Sequence, residues 1–534
     1  MRVSRRKVLA TGGALAGLGA FSGVAGAATT KLPAPWVRYD VWSSDGQRML
    51  KGYKTAVEAM LALPPTHPHN WFRNAFVHYM DCPHGNWWFY VWHRGYLGYF
   101  EQTVRKYSGM SDFAFPYWDW SQKQALPDGM FDGVLTPVAD AFARYARDLP
   151  TFNNFIQGPL ETYYSRLTAA QKNQQNLRGN TTFQKLWDGV AGTGGVDKGD
   201  RAFAPTDLSP TLKARYPTRS NPDITPSVAK YCLPANIALG LAPNQFNSAN
   251  MVDSFTSVKT ASHNAMPASG SVFSKLEGEP HNKVHNFIGG AFDGTGSWGT
   301  GPFGNMTNNL SPVDPIFFLH HSNMDRLWWL WEEKQRAKGL PTLPTNKDER
   351  AQFEREPFLF FWNEKGEPIL NGKAGDYIDP KQFWYYYGPP VDKTLLDLVE
   401  DLKKPTTAPR LLAAASDEKS VDALAKWPIG LNAKQLQAII TFTRPTSSAR
   451  EYAVVVNAPA DLKVAGFDSP YYAGSISFFG SHTSDMQHRV TYAVSLDPAV
   501  VAKAGGQLDL RLVPTPAWAD RAEPQIENLE IRGS

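Results

Sequence analysis

Cysteine is scarce in this chain of 534 residues, which contains only Cys82 and Cys232. A disulfide framework of the kind that stabilises small secreted domains is therefore excluded, and stability must come from a hydrophobic core. The composition allows such a core, because 42% of the residues are hydrophobic, 13% are aromatic and 19% are charged. Long apolar runs, internal repeats and low-complexity tracts are also missing, so the sequence after residue 28 predicts no membrane-spanning helix.

An excess of charge of one sign is missing from most of the chain. Of the 54 lysines and arginines, four (Arg2, Arg5, Arg6 and Lys7) precede residue 28, and the 50 aspartates and glutamates all follow it. The remainder of the chain is thus electrically balanced. Binding to nucleic acid is not expected, because no basic stripe is left to neutralise phosphates.

Residues 1–27 have the pattern of an export signal. Arg5 and Arg6 stand before an uncharged run rich in Ala and Gly, from Ala10 to Ala27. The pair resembles a twin-arginine signal, the address of bacterial proteins that are exported already folded. We expect a periplasmic or secreted protein; an ordinary secretory signal and an uncleaved anchor remain alternatives.

Helical spacing of apolar residues occurs in Tyr53–Leu61, Asn74–His78 and Trp92–Glu101, whereas the region from Ser121 to about Leu276 predicts loops and short helices. A polar, proline-containing stretch at 403–410 is typical of a linker. Beyond it, four short segments rich in β-branched or aromatic residues predict a small β-domain. These segments are 453–456, 474–479, 490–494 and 508–513.

Histidines are concentrated in two windows. Seven of the 12 are clustered, namely His78, His84 and His93, and then His281, His285, His320 and His321. On a helix, positions i and i+4 lie on one face, so His281 and His285 can bind one metal ion. Two clusters suggest two metals, while the isolated His67, His69, His263, His482 and His488 are interpreted as ordinary residues.

The ligand type narrows the choice of metal. Imidazole suits copper, zinc, iron or nickel, whereas magnesium and calcium prefer oxygen. Zinc-protease chemistry requires His-Glu-x-x-His with the glutamate as general base, and this chain has Asn282 at that position. Hydrolysis is disfavoured and redox copper is favoured.

Five motifs surround the clustered histidines: Cys82-Pro83-His84, Trp92–Leu97, Pro116–Trp120, His281–His285 and Asp314–Trp328. In order and spacing they resemble the coupled dicopper proteins, which are tyrosinases (polyphenol oxidases), catechol oxidases and haemocyanins. The resemblance extends from His78 to about Trp331. It implies two copper ions as cofactors and a mainly α catalytic domain, a four-helix bundle around the dicopper site with long loops.

The resemblance implies that His78, His84 and His93 bind one copper ion and that His281, His285 and His321 bind the other. In the family the second histidine of the His-His pair is the ligand, so His320 is treated as a neighbour, and the inverse assignment stays open. Cys82 matches the Cys-x-His form in which sulfur is linked to the imidazole of the middle ligand. A thioether between Cys82 and His84 is therefore expected, with a buried free thiol as the alternative.

The resemblance also implies residues that act on the substrate. Glu277 and Asn282 match the glutamate and asparagine that hold a water as a base for monophenols, although Glu279 competes for this role and a solvated loop carboxylate is the alternative for Glu277. Asn308 occupies the offset at which many plant enzymes carry a bulky phenylalanine that gates access. Phe89 is expected to pack against the dicopper centre.

The C-terminal part resembles plant polyphenol oxidases, in which an all-β, sandwich-like domain covers the active site of the latent enzyme. Phe358–Gly366 resembles the connecting segment and Tyr385–Tyr387 the Tyr-x-Tyr pair that ends the catalytic domain. A domain that is docked permanently and blocks nothing is the alternative. The candidates for a side chain that fills the substrate cavity are Phe467, Tyr471, Tyr472, Phe478 and Phe479.

The predicted division is a signal at 1–27, a dicopper domain at 28–402, a linker at 403–410 and a β-domain at 411–534. Within the dicopper domain the copper motifs occupy 78–93 and 281–331, and the connecting segment 341–402. The expected activity is ortho-hydroxylation of monophenols and oxidation of o-diphenols to o-quinones by O2, with small phenols and catechols as substrates. Catechol oxidation alone, a haemocyanin-like oxygen carrier and a zinc hydrolase remain alternatives, and nothing in the sequence requires melanin formation.

Overall fold

The helices that carry the clustered histidines lie in the first two thirds of the chain, one pair near the beginning of this part and the other pair near its end. The computed structural model describes residues 35–137, 140–195, 201–203, 215–265, 270–291, 303–388, 393–402, 411–414, 423–426, 436–445, 449–480, 488–503 and 507–533. The expected signal (1–27) and linker (403–410) lie outside these residues. Residues Trp36–Ser534 belong to one compact unit.

The described helices run in chain order from α1 to α15. They are α1 Ser44–Ala62, α2 Trp71–Asp81, α3 Phe89–Ser108, α4 Asp140–Ala146, α5 Leu149–Phe152, α6 Gly158–Ser165, α7 Ala169–Leu177, α8 Phe183–Ala191, α9 Pro226–Ala229, α10 Pro234–Leu241, α11 Asn282–Ile288, α12 Ile316–Ala337, α13 Lys347–Arg355, α14 Lys393–Leu402 and α15 Pro498–Ala502. None of them is both long and apolar enough to cross a bilayer.

Local signals explain where the long helices begin and end. The side chain of Asn70 caps α2 by accepting from the amides of Phe72 and Arg73, at 3.1 and 3.4 Å. Helix α3 ends at Gly109, whose φ of +69° is the left-handed conformation that glycine adopts without strain. Helix α12 is buried on nearly every side, so it forms the centre of the helical part, which is mainly α as expected.

The strands form three sheets. They are β1 Trp36–Arg38, β2 Ser271–Phe273, β3 Tyr385–Tyr387, β4 Leu411–Ala414, β5 Ala423–Lys426, β6 Leu436–Arg444, β7 Glu451–Val456, β8 Tyr472–Ser477, β9 His488–Leu496, β10 Gln507–Pro514 and β11 Ile526–Gly533. Strands β1 and β3 pair in parallel, and the other sheets have the orders β5-β10-β7-β8 and β2-β9-β6-β11-β4.

The C-terminal sheets pack as a sandwich around a common core. Alternate residues of β6 (Ala438, Ile440 and Phe442) and of β10 (Leu508, Leu510 and Leu512) belong to one buried cluster, as expected for two sheets that bury their inner faces. This confirms a β-rich C-terminal region, although the short helix α15 lies within the region that was expected to be all-β. Strand β2 comes from the segment just before His281 and pairs in parallel with β9, which ties the β-region directly to the histidine-bearing segment.

Candidate metal centre

Three histidines from the first window form one cluster. His78 lies in α2, His93 in α3 and His84 in the loop between these helices. Their ring centroids are 5.4 Å apart for His78 and His84, 5.4 Å for His78 and His93, and 5.5 Å for His84 and His93. The ligand atoms of His78 and His84 lie within 4.8 Å of each other, which is close enough for one metal ion.

The second window forms an adjacent cluster. His281 ends a π-helical turn (Glu277–His281), His285 lies in α11, and His320 and His321 lie in α12. One ligand atom from each of these four lies within 4.8 Å of the others. The ring of His321 stacks on that of His93 with a centroid distance of 4.2 Å and an interplanar angle of 11°, so the two clusters share one pocket.

The π turn explains how His281 and His285 come to act together. Pro280 cannot donate a backbone hydrogen bond, and the wider turn at Glu277–His281 accommodates it. From His281 onward the backbone is regular α-helix, which places His285 one turn further on the same face. Their ring centroids are 4.5 Å apart.

Hydrogen bonds determine the tautomers of two histidines in the first cluster, His78 and His93. His78 Nδ1 donates to the carbonyl oxygen of Asn309 at 2.6 Å, and His93 Nδ1 donates to that of Phe89 at 2.7 Å. Because a carbonyl can only accept, both Nε2 atoms carry lone pairs rather than protons. These Nε2 atoms are 3.3 Å apart, and a pair of facing lone pairs needs a cation between them. Two nitrogens bound to one ion at about 2.0–2.1 Å with near-tetrahedral angles are about 3.3 Å apart.

The second cluster follows the same rule. His285 Nδ1 donates to the carbonyl of Met306 at 2.7 Å, and His281 Nδ1 donates to Oδ1 of Asn282 at 2.9 Å. The Nε2 of His281 is buried without a hydrogen-bond partner among the described residues, and so is the Nε2 of His84. Lone pairs that are buried and unsatisfied in this way fit a metal ion.

Burial also keeps these imidazoles neutral, as metal ligands must be. It lowers the pKa of His78 to about 3 and that of His281 to about 3. The same cause lowers the pKa values of His84, His93, His285 and His321 well below the ordinary value.

His320 and His321 differ in their hydrogen bonds. Trp120 Nε1 donates to Nδ1 of His320 at 3.2 Å, and since an indole nitrogen is only a donor, the proton of neutral His320 is on Nε2. His321 Nε2 instead lies 3.2 Å from Nε2 of His285. This arrangement favours His321 as the ligand and His320 as its neighbour.

The pattern of the common central domain of tyrosinase matches residues 62–334, just over half of the chain. The chain belongs to the tyrosinase family. Members of this family hold two copper ions, and the paired clusters of buried imidazoles fit that cofactor. Tyrosinase-family enzymes are copper-dependent oxidoreductases that act on phenols with O2.

Two curated relatives illustrate the similarity. The chain is 27% identical to a chloroplastic polyphenol oxidase of Malus domestica over 377 residues, which are 67% of this chain and 49% of the relative. It is 25% identical to tyrosinase HcTyr1 of a Hahella species over 276 residues, which are 51% of this chain and 42% of the relative. The chain therefore spans about half the length of the curated relatives it matches.

A recombinantly expressed latent aurone synthase, a polyphenol oxidase, shares the fold. Its structure aligns with 94% of this chain and 90% of its own length, with a TM-score of 0.54 and 17% sequence identity. The alignment includes the C-terminal β-region as well as the tyrosinase domain. At this identity the similarity concerns the fold alone.

Cys82 lies beside the middle histidine of the first cluster. Its Sγ is 3.5 Å from Nδ1 of His84, and burial raises the pKa of the thiol to about 12. Arg178 stabilises the backbone at this position by donating to the carbonyl oxygen of Cys82 at 2.8 Å. Neither Cys82 nor Cys232 forms a disulfide, and both are buried. The thioether between Cys82 and His84 remains a prediction.

Glu277 and Asn282 flank the second cluster. Glu277 is fully buried and accepts from the amide of Gly85 at 2.6 Å and from the hydroxyl of Ser257 at 2.5 Å. Burial raises its pKa to about 8. Asn282 accepts from His281 and donates through Nδ2 to the carbonyl of Ser477 at 3.4 Å. Glu279 is a weaker candidate for the base, because its carboxylate forms an ion pair with Lys275 at 2.6 Å.

Phe89 lies centrally among the histidines. Its ring centroid is 4.7 Å from that of His93, 4.8 Å from His281 and 5.7 Å from His84. It therefore packs against both clusters. Asn308 is buried, donates to the carbonyl of Arg201 at 3.2 Å and accepts from the amide of Leu310 at 2.9 Å, so its amide is part of the loop's own hydrogen bonding, and its role in substrate access remains a prediction.

Of the five C-terminal candidates for a plug, Phe479 is the one whose ring lies at the histidines. Its centroid is 4.4 Å from that of His285, 4.7 Å from His84 and 5.7 Å from His281. The other four candidates lie elsewhere in the C-terminal region. Phe478 and Tyr472 are buried in the β-region, Tyr471 packs against that region, and Phe467 is 42% exposed.

Polar contacts hold the segment that carries Phe479 against α11. Lys283 is buried and donates to Oγ of Ser475 at 2.7 Å and of Ser477 at 3.0 Å, and it pairs with Glu451 at 3.3 Å. Asn286 donates to the carbonyl of Phe478 at 2.8 Å. We call these interactions the α11 latch.

Sequence reasoning missed several residues that support the centre. The carbonyl groups of Asn309 and Met306 orient two histidines, but a backbone carbonyl has no residue signature. Trp120 ends the Pro116–Trp120 motif, but nothing in that motif indicates that its indole donates to His320. His263 is sandwiched between Asp81 (2.9 Å) and Glu356 (2.6 Å), and Trp92 donates to Asp81 at 2.8 Å; we call Asp81, His263 and Glu356 the His263 cluster.

Proposed function

We propose that this protein hydroxylates monophenols at the ortho position and oxidises o-diphenols to o-quinones, and that Phe479 holds it in a latent form. The proposal rests on one observation above all: the Nε2 lone pairs of His78 and His93 face each other at 3.3 Å, with both Nδ1 protons given to carbonyls. Such a site is built for a cation bound by neutral imidazoles.

The residues present fit two copper ions. His78, His84 and His93 would hold one, and His281, His285 and His321 the other; His320 is left out because its Nδ1 accepts from Trp120, which leaves its proton on Nε2. When bound, a copper pair supplies the capacity to take up O2 and exchange two electrons with it. Singlet organic molecules react with O2 only slowly without such a cofactor.

The protein's own groups would handle the phenolic proton. A monophenol has a pKa near 10, and a carboxyl group with its pKa raised to about 8 is, in its deprotonated form, a stronger base toward such a proton than one with a pKa near 4.5. Glu277 is therefore the proposed base. Asn282 is a positioning residue, because its bond to Nδ1 keeps the lone pair of His281 on Nε2.

Phe479 would exclude the substrate. The centroid of the Phe479 ring lies 4.4 to 5.7 Å from the ring centroids of His84, His281 and His285. A phenol that approaches these histidines must occupy the space that this ring fills. The α11 latch holds the ring there. Removal or displacement of the β-region would expose the site.

The experiment is oxygen uptake by the copper-loaded full chain, with 4-methylphenol and 4-methylcatechol as matched substrates. Phe479→Ala should raise both activities without proteolysis, and Phe467→Ala, which changes an exposed phenylalanine of the same region, should not. Equal activities in all three proteins would refute latency. Oxidation of the catechol alone would reduce the function to that of a catechol oxidase, and a preparation that binds only zinc would refute the redox assignment.

Export is the remaining part of the proposal. The paired arginines and the uncharged run at residues 1–27 support a twin-arginine-type signal and a periplasmic or secreted location. Replacing Arg5 and Arg6 by lysine in the full chain should abolish export in a bacterial host, and unchanged export would point to an ordinary secretory signal.

A further inference from the structure

A second cavity lies on the outer side of α2, between α6, α7 and the loop that contains Trp362. Its volume is about 340 Å³, within the range of small-molecule sites. None of the clustered histidines lines it. It is thus separate from the metal centre, although Arg73, at its floor, precedes His78 by five residues on the same helix.

Arg73 is a buried cation without a counter-charge among the described residues. Its relative exposure is 6%, and its Nε and Nη1 are buried with no hydrogen-bond partner. Its guanidinium carbon lies 4.1 Å from the ring centroid of Tyr163. Burial lowers the pKa of Arg73 to about 10, so the group stays positively charged at neutral pH.

Other buried arginines show what this position lacks. Arg38 and Arg94 are both paired with Asp325, at 2.9 and 2.6 Å, and Arg215 with Asp314. Buried charges are normally paired because removing an ion from water is costly. A guanidinium that is left unpaired and faces a cavity is therefore suited to an anion from outside the chain.

The rest of the lining defines the anion. None of the described residues that line the cavity is an aspartate or glutamate, and Arg166 adds a second, exposed cation. Part of the wall is flat and apolar: the rings of Tyr163 and Trp362, with centroids 5.9 Å apart, and Leu370, which is 48% exposed. The remaining lining consists of three prolines, three threonines and Gln171. A guanidinium suits carboxylates geometrically, and flat walls suit a planar ring.

We propose that this cavity is a binding site for a small organic carboxylate that carries an aromatic or similarly flat apolar ring. The carboxylate pairs with the guanidinium of Arg73, which lines the cavity. The ring lies against Tyr163 and Trp362.

The test is calorimetric titration of the full chain with benzoate, in copper-loaded and copper-free forms, with benzamide as the neutral analogue. Benzoate should bind in both forms and benzamide should not. Arg73→Gln should weaken binding at least about tenfold, because a charge-assisted bond is lost. Arg144→Gln is the matched control: Arg144 also lies over a tyrosine ring, that of Tyr145 at 5.6 Å, but it is exposed.

Two further variants keep the test decisive if Arg73→Gln fails to fold. Arg73→Lys should retain partial affinity, and Thr162→Trp, on the exposed rim, should block binding while leaving Arg73 in place. Benzoate binding that is unchanged in Arg73→Gln or Thr162→Trp would overturn the proposal. Inorganic phosphate that binds as tightly as benzoate and displaces it would overturn the requirement for a flat ring. Because the copper-free form is included, failure of the oxidase proposal does not affect this result.

Discussion

Asp325 joins three segments of the chain at the centre of the helical part. Its Oδ1 accepts from Arg94 in α3 at 2.6 Å, and its Oδ2 accepts from Arg38 in β1 at 2.9 Å and from Tyr387 in β3 at 2.7 Å. Tyr385 also donates to this carboxylate. Asp325 is 2% exposed and lies one turn after His321 on α12, so the network holds the part of the helix that carries this histidine.

Replacing Asp325 by asparagine should lower the free energy of unfolding by about 3–5 kcal/mol, the cost of removing one partner from a buried ion pair. Two buried guanidinium groups would lose part of their counter-charge, and the new amide would meet donors on both sides. For a domain stable by about 5–15 kcal/mol, this is a large fraction. The assay is urea denaturation of the copper-free full chain.

Glu333→Gln provides the matched control on the same helix. Glu333 pairs with Arg336 at 2.6 Å, but the two side chains are 43% and 49% exposed, so the loss should be at most about 1 kcal/mol. If Asp325→Asn were no more destabilising than Glu333→Gln, the network would not stabilise the helical core. If the Asp325→Asn variant were destabilised but bound copper normally, Asp325 would have no role in positioning His321.

Three further predictions concern the metal centre and its surroundings. The peptide that contains Cys82 and His84 should be two hydrogens lighter than its sequence mass, because of the thioether; complete alkylation of Cys82 in the denatured protein would contradict this. His321→Gln should lose one copper ion per chain in metal analysis and His320→Gln should retain both, and the opposite result would invert the assignment. Burial lowers the pKa of His263, but the carboxylates of its cluster more than offset this and raise it. Its stabilising contribution should thus be complete below the unfolded value of about 6.5 and be lost as pH rises through the folded value. The stability gap to His263→Gln should narrow at alkaline pH, and a constant gap would refute the ion-pair interpretation.

The histidines were predictable because metal ligands leave local signals. The spacing of His281 and His285 places both on one helical face whatever the rest of the chain does. The β-segments were predictable for a similar reason, since β-branched residues between turn residues favour strands. Strands β6 and β11 were not predicted, although the alternation in β6 follows the same period.

Other features could not be predicted because they depend on distant contacts. His320 and His321 are chemically identical neighbours, and the distinction between them comes from Trp120, some 200 residues away. Five aromatic residues were equal candidates to cover the centre. Phe479 was selected by the α11 latch, which joins segments about 190 residues apart.

The order of residues by itself determined the chemical inventory: seven clustered imidazoles, the nearby thiol and carboxylate, and a helical part followed by a β-part. These follow from residue type and short-range spacing, which do not depend on distant contacts. Only the tertiary structure decided which nitrogen carries the proton in five of the seven imidazoles, which aromatic ring covers the centre and which buried arginine of the described residues is left without a carboxylate. Each of those depends on the position of a partner far along the chain, because hydrogen bonds and charge pairs act over a few ångströms of space.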